Sequence, residues 1–92
     1  MRTIKFAGHP AAQVKIEVYD CGSQALISYN TAVVRIDEDG WLEVCGLYSM
    51  TTRRHISWYM SYLGFNYALA RTLYHDGMKM NIRTGEVIKV ET

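Results

Sequence analysis

The chain has 92 residues, of which 49% are hydrophobic and 21% charged, and its formal net charge is +1. These values exclude an intrinsically disordered chain and a strongly polycationic or polyanionic one, and the length is that of one domain, residues 1–92. The first ten residues lack the apolar segment of a signal peptide, and the longest uncharged stretch, residues 55–70, is too short and too polar to span a bilayer. We therefore expect a single cytoplasmic domain with reduced thiols.

Charge is distributed unevenly along the chain. Residues 11–50 carry six acidic and two basic side chains, a formal charge of −4. Residues 51–83 carry five basic side chains and one acidic side chain, a formal charge of +4. Either the two halves neutralise each other in the packed domain, or the basic half faces an anionic partner.

The first half of the chain has the patterns of β-strands. A short strand over residues 3–7 is followed by a turn at residues 8–10, which contains the single proline. Strict alternation of apolar and polar side chains over residues 13–19 predicts a half-buried strand. Further strands are predicted at residues 25–29, 32–36 and 41–47, separated by a turn at 20–23, a break at 30–31 and an acidic hairpin loop at 37–40.

The apolar period becomes helical after Thr52. Apolar side chains at residues 56, 59, 60 and 63 share one face, and Gly64 is placed to end the helix. A second helix is predicted over residues 66–75 with Asn66 as its N-cap, and a final hairpin is predicted over residues 78–90. The sequence thus predicts an α+β fold, an antiparallel β-sheet of four or five strands with one or two helices packed on one face.

The junction between sheet and helix has an unusual charge pattern. Ser49, Thr51 or Thr52 can cap the first helix, but Arg53 and Arg54 occupy its first turn, where the helix dipole disfavours cations. In one interpretation, acids of the sheet, such as Glu43 or those of the loop Asp37–Asp39, pair with these arginines. Alternatively, free backbone N–H groups, threonine hydroxyls and the two guanidinium groups converge on a phosphate or carboxylate, or the arginines are simply solvated.

The aromatic side chains of the first helix allow two interpretations. Trp58 and Tyr62 lie four residues apart, away from the apolar stripe, and His55 precedes Trp58 by three residues. This face is either sandwiched between elements of the fold or exposed as a protein-binding or base-stacking surface. His55 is predicted to be a surface or packed histidine, with general-base catalysis as the alternative.

The sequence contains no pattern typical of a catalytic or metal site. The histidines are scattered, Cys21 and Cys45 form no metal-binding spacing, and no nucleophile–base pair can be assembled. The setting of Cys45 is expected to raise the pKa of its thiol, whereas Cys21 lies in a more exposed turn. We therefore predict a protein that is not an enzyme and has no cofactor.

Two segments resemble a known kind of domain. Residues 28–31 (Ser-Tyr-Asn-Thr) and residues 48–56, with a Ser-x-Thr-Thr-x-x-His helix start, resemble small uncharacterised domains of bacteriophages and mobile elements. The resemblance covers roughly residues 28–64 and implies an origin without implying a catalytic activity. By analogy with small phage proteins, it implies binding of host proteins, including CRISPR-type defence nucleases, in the host cytoplasm.

The predicted function is that of a non-enzymatic binding module acting on a protein partner. The residues expected to contact this partner are Thr51, Thr52, Arg53, Arg54, His55, Trp58 and Tyr62. The alternative is nucleic-acid binding by the basic second half, through Arg53, Arg54, Arg71, Lys79 and Arg83. A small hydrolase or transferase is the third alternative.

Overall fold

A computed structural model describes residues 1–6 and 13–90. In this part of the chain, seven strands form one antiparallel sheet in sequential order, and two helices lie between the fifth and sixth strands. The elements are β1 (Arg2–Ile4), β2 (Val14–Val18), β3 (Gln24–Ser28), β4 (Thr31–Ile36), β5 (Trp41–Val44), α1 (Met50–Leu63), α2 (Tyr67–Asp76), β6 (Met78–Asn81) and β7 (Val87–Lys89). The predicted α+β class is confirmed.

The sheet is larger than the four or five strands that were predicted. The final hairpin does not stand apart, because Leu42 of β5 pairs with Met80 of β6. The two helices are therefore inserted between β5 and β6, and after α2 the chain returns to pair β6 with the free edge of β5. β1 is shorter than predicted, and the predicted turn at residues 8–10 lies outside the described residues.

The core lies between one face of the sheet and the two helices. Alternating strand residues point into it, as the period of two predicts: Val14 and Ile16 from β2, and Leu42 and Val44 from β5. The helices contribute further buried side chains, which are Ile56, Tyr59, Met60, Ala70 and Leu73. The apolar stripe of α1 is therefore the face that fixes this helix on the sheet.

Both helices begin and end where their capping residues predict. Ser49 caps α1 and Asn66 caps α2, each accepting a backbone N–H of the first turn. Each helix ends at a glycine in the left-handed conformation, Gly64 for α1 and Gly77 for α2. The choice among Ser49, Thr51 and Thr52 as the first cap is thus decided for Ser49.

Two tight turns set the position of the site residues. Tyr29 and Asn30 both have positive φ, 51° and 75°, and form a two-residue hairpin turn between β3 and β4. The turn lies one residue before the break that was predicted at residues 30–31, because Thr31 already belongs to β4. In the acidic loop, Oδ1 of Asp37 accepts the backbone N–H groups of Asp39 and Trp41. The loop is the hairpin turn that was predicted from its sequence.

No helix in the described residues combines the length and apolarity needed to cross a membrane.

Candidate binding site

At the start of α1, the backbone N–H groups of Thr52 and Arg53 are bonded to the capping residue Ser49. The Thr52 N–H donates to Oγ of Ser49 at 3.1 Å, and the Arg53 N–H donates to the Ser49 carbonyl at 2.9 Å. The Thr52 hydroxyl is buried and faces Ser49 and Ser28 rather than the arginines. Thr52 and the Arg53 N–H are therefore engaged within the cap and do not join the predicted convergence of threonine hydroxyls, backbone N–H groups and guanidinium groups on an anion.

The arginines of α1 are not neutralised by the sheet. Over residues 1–6 and 13–90, the ion pairs are Lys15 with Glu17 and the N-terminal ammonium with Asp20. Arg53 and Arg54 are exposed and take part in neither. The predicted pairing of these arginines with the acidic residues of the sheet is wrong, and neither ion pair joins the acidic half to the basic half.

A groove runs between α1 and α2 on the side of α1 that carries these arginines. It encloses about 540 Å³, the size of a site for a small ligand or a short peptide segment. We call it the α1–α2 groove, and its lining residues are Leu47, Met50, Arg53, Arg54, Ser57, Tyr67, Arg71 and His75.

The regular spacing of two helices builds this groove. Tyr67, Arg71 and His75 follow one another at intervals of four residues, so they lie on one face of α2. Arg53 and Ser57 have the same spacing on α1, and Met50 lies one turn before them. Two basic helix faces therefore meet across the groove.

The groove combines positive charge with apolar surface. Arg53, Arg54 and Arg71 are all exposed, and no acidic side chain lines the groove within the described residues. Met50 is 75% exposed, and Leu47 and Tyr67 are half-buried. Guanidinium groups donate paired hydrogen bonds to carboxylates or phosphates, so the groove can bind an anionic group that adjoins an apolar one.

A second polar site lies on the opposite side of α1, against the sheet. We call Ser28, Ser49, Thr52 and His55 the hydroxyl–histidine cluster. Oγ of Ser49 donates to Oγ1 of Thr52 at 3.2 Å, and Oγ1 of Thr52 lies 3.5 Å from Oγ of Ser28. Oγ of Ser28 lies 2.8 Å from Nδ1 of His55. The cluster ties the end of β3 to the first two turns of α1.

His55 is a packed residue in this cluster. Burial and then the charge of Arg54 lower the pKa of the imidazole, so the neutral ring is favoured. Its ring centroid lies 5.7 Å from that of Tyr29 and 5.3 Å from that of Trp58. The expectation of a packed histidine is confirmed.

The Ser28–His55 pair was missed by the sequence analysis, which found no nucleophile–base pair. The two residues are 27 positions apart, and only the packing of α1 on β3 brings them together. Each is 2% exposed, so the pair joins two elements in the interior. Residues 28–31 and 48–56 therefore meet in this cluster.

Trp58 and Tyr62 lie beside the start of the chain. The Phe6 ring lies 6.1 Å from Trp58 and 6.3 Å from Tyr62. Trp58 is half-buried, whereas Tyr62 is 56% exposed. Of the seven predicted contact residues, Arg53 and Arg54 line the α1–α2 groove, Thr52 and His55 lie in the hydroxyl–histidine cluster, and Thr51, Trp58 and Tyr62 line neither.

The five basic residues that were predicted to bind nucleic acid also lie in different parts of the fold. Arg71 joins Arg53 and Arg54 in the groove. Lys79 instead lies over the ring of Trp41, 5.7 Å from its centroid, and Arg83 donates to the backbone carbonyl of Glu38 at 3.0 Å. The basic second half is therefore not one continuous surface.

The cysteines are both free. Burial raises the pKa of the Cys45 thiol, as expected. The Cys21 thiol lies 3.1 Å from Oγ of Ser23, and this hydrogen bond lowers its pKa. Among the described residues, no three His, Cys, Asp or Glu side chains are grouped as metal ligands.

One wall of the groove could have been predicted from the spacing of residues along the second helix. The residues predicted to contact a protein partner all lie on α1, and Arg71 was predicted only as one of several basic residues that could bind nucleic acid. The four-residue spacing of Tyr67, Arg71 and His75 is visible in the sequence. What the sequence does not show is that this face of α2 lies opposite Arg53.

A protein-family model described as "Family of unknown function (DUF8033)" matches residues 7–73. No curated protein and no solved structure matches the chain significantly. The matched range contains all of α1 and both segments that form the hydroxyl–histidine cluster.

Proposed function

The chain belongs to DUF8033, a family of unknown function, and we propose that it is a non-enzymatic binding module whose α1–α2 groove contacts a partner protein. The observation that carries this proposal is a set of three exposed arginines, none of which forms an ion pair within residues 1–6 and 13–90, beside apolar side chains. Arginine, tyrosine and methionine are enriched in protein interfaces, and all three occur in this groove. Their charges are left for a partner to neutralise.

The placement of the arginines supports a role outside folding. Arg53 lies in the first turn of α1, which contains no acidic residue. A cation there opposes the helix dipole and costs stability, typically about 0.3–1 kcal/mol at an exposed site. The presence of a destabilising arginine at this position is explained if it contributes to the binding of a partner.

The resemblance of residues 28–31 and 48–56 to phage domains extends the proposal. We propose a phage or mobile-element origin on that ground, with inhibition of a host defence nuclease as the most specific form of the binding function. Nucleic acid is the alternative partner, favoured by the three arginines together with the ring of Tyr67 in the groove.

Site-specific cross-linking tests the proposal. A photoreactive p-benzoylphenylalanine replaces Met50, which is exposed at the groove, and the purified protein is irradiated in a lysate of the source cells. We expect a discrete adduct, larger than the protein alone, that nuclease leaves intact. The same photoreactive residue in place of Val87, which is exposed on β7 and does not line the groove, is the position control.

A charge-matched pair of variants separates the groove from net charge. Arg53→Ala with Arg71→Ala removes two cations from the groove, and Arg2→Ala with Lys89→Ala removes two exposed cations elsewhere. Only the first pair is expected to abolish the adduct. A nuclease-sensitive adduct would support the nucleic-acid alternative, and equal adducts from both double variants would refute the groove as the binding surface.

A further inference from the structure

We infer that the α1–α2 groove takes a short acidic segment of the partner protein that carries one large apolar side chain. This inference rests on the proposed function and names the chemistry of the partner. The acidic side chains meet Arg53, Arg54 and Arg71, and the apolar side chain packs against Leu47, Met50 and Tyr67.

Charge complementarity selects an acidic occupant. Three guanidinium groups line the groove, and no carboxylate lines it within the described residues. The acidic loop at residues 37–40 of the same chain does not serve them, because none of its carboxylates forms an ion pair with these arginines among the described residues. Each exposed arginine can take a carboxylate in a bidentate contact, which adds geometric specificity to the attraction.

The apolar lining selects a large apolar side chain within that segment. Met50 is 75% exposed at the first position of α1, and Leu47 and Tyr67 add half-buried surface beside it. Methionine adapts its shape to the group that it contacts, and a tyrosine ring provides a rigid wall. Burial of one leucine-sized side chain here contributes affinity that carboxylates alone do not supply.

The same observations disfavour a nucleic-acid strand as the occupant. A protein that tracks a phosphate backbone needs an extended basic strip with rings for stacking. In this groove the basic surface consists of three arginines, because Lys79 and Arg83 make their contacts elsewhere. The net charge of the chain is only +1. The most exposed rings, Tyr29, Tyr48 and Tyr62, do not line the groove.

Fluorescence anisotropy with defined probes tests the inference on the full chain. The first probe is a short labelled peptide in which aspartates and glutamates flank a leucine. Two peptides of equal length serve as matched probes, one with the acids replaced by asparagine and glutamine, and one with the leucine replaced by serine. A labelled single-stranded oligothymidylate is the fourth probe.

We expect the acidic, leucine-containing peptide to bind most tightly. Each matched peptide, and the Arg53→Ala with Arg71→Ala variant, is expected to bind at least about tenfold more weakly, because each lacks one of the two contacts. The Arg2→Ala with Lys89→Ala variant is expected to bind like the wild type. Circular dichroism of both variants establishes that they are folded.

Three outcomes would overturn the inference. They are equal binding of the acidic and amide peptides, equal binding with and without leucine, or tighter binding of the oligothymidylate. Failure here is distinguishable from failure of the proposed function. A nuclease-resistant adduct from position 50 combined with no peptide binding would leave a protein-binding groove whose partner has different chemistry.

Discussion

The polar side chains are buried and bonded to one another on one side of α1, and exposed on the other. On the sheet side, Ser28, Thr52 and His55 are buried and bonded to one another, and no buried side-chain nitrogen or oxygen in the described residues lacks a partner. On the α2 side, Arg53 and Arg54 are exposed and form no ion pair with an acid of the described chain. Buried polar groups cost free energy unless they are paired, so the first side stabilises the fold. The second side is free to meet a partner.

The largest effect on stability is expected from His55→Ala. The change removes a buried ring and leaves the Ser28 hydroxyl without its partner, so it should lower the free energy of unfolding by about 2–4 kcal/mol. Urea denaturation measures this loss. Arg54→Ala, on the exposed face next to it, is the control and should change stability by less than about 0.5 kcal/mol. Similar losses for both variants would contradict the division of α1 into two sides.

A smaller effect is expected from acidification. The pKa of His55 is lowered in the folded protein, so the unfolded chain, with an ordinary value of about 6.5, binds the proton more readily. The stability that neutral His55 contributes is therefore present above about pH 6.5 and is lost as pH falls through the lower folded-state pKa. Urea titrations should show the stability difference between wild type and His55→Gln narrowing from about pH 8 to about pH 5. A gap that does not change with pH would show that His55 does not titrate on unfolding.

Loss of the α1 cap is expected to cost less than loss of His55. Ser49→Ala removes the acceptor of the Thr52 N–H and the donor to its hydroxyl, so unfolding should become easier by about 1 kcal/mol. Ser57→Ala on the groove side of the same helix is the matched control. It is expected to be neutral, because Ser57 has no capping role and alanine favours the helix. A loss as large as that of Ser49→Ala would show that hydroxyls stabilise both sides.

The smallest effect on stability, a gain, is expected from Arg53→Glu. An acid in the first turn of α1 interacts favourably with the helix dipole, so stability should rise by about 0.3–1 kcal/mol at low ionic strength. Arg71→Glu lies in the middle of α2 and should bring no such gain. Both variants should lose binding of the acidic peptide in the anisotropy assay. Retained binding in both would show that the α1–α2 groove is not the site.

Local patterns predicted the elements of the fold well. The caps Ser49 and Asn66, the glycine ends of both helices and the alternation in β2 depend on residues within a few positions of one another. The strand count was too low because the pairing of β5 with β6 joins segments separated by both helices. That pairing depends on where the helices return the chain, which no local pattern contains.

The candidate site was predicted only in part, for the same reason. Arg53 and Arg54 were recognised from their unfavourable place at a helix start. Their opposite wall, with Arg71 at its centre, depends on the packing of α2 against α1. The assignment of Thr52 and His55 to partner contact missed that both face β3, where Ser28 is their partner.

The sequence by itself determined that this chain is an α+β domain with a capped first helix, an acidic first half and a basic second half. Those properties follow from composition, period and capping chemistry, which act over short distances along the chain. Only the tertiary structure decided that the two halves do not neutralise each other through ion pairs in the described residues, that Ser28 meets His55, and that Arg53 and Arg71 line one groove. Each of these depends on contacts between distant segments, because burial and charge pairing are set by which surfaces meet.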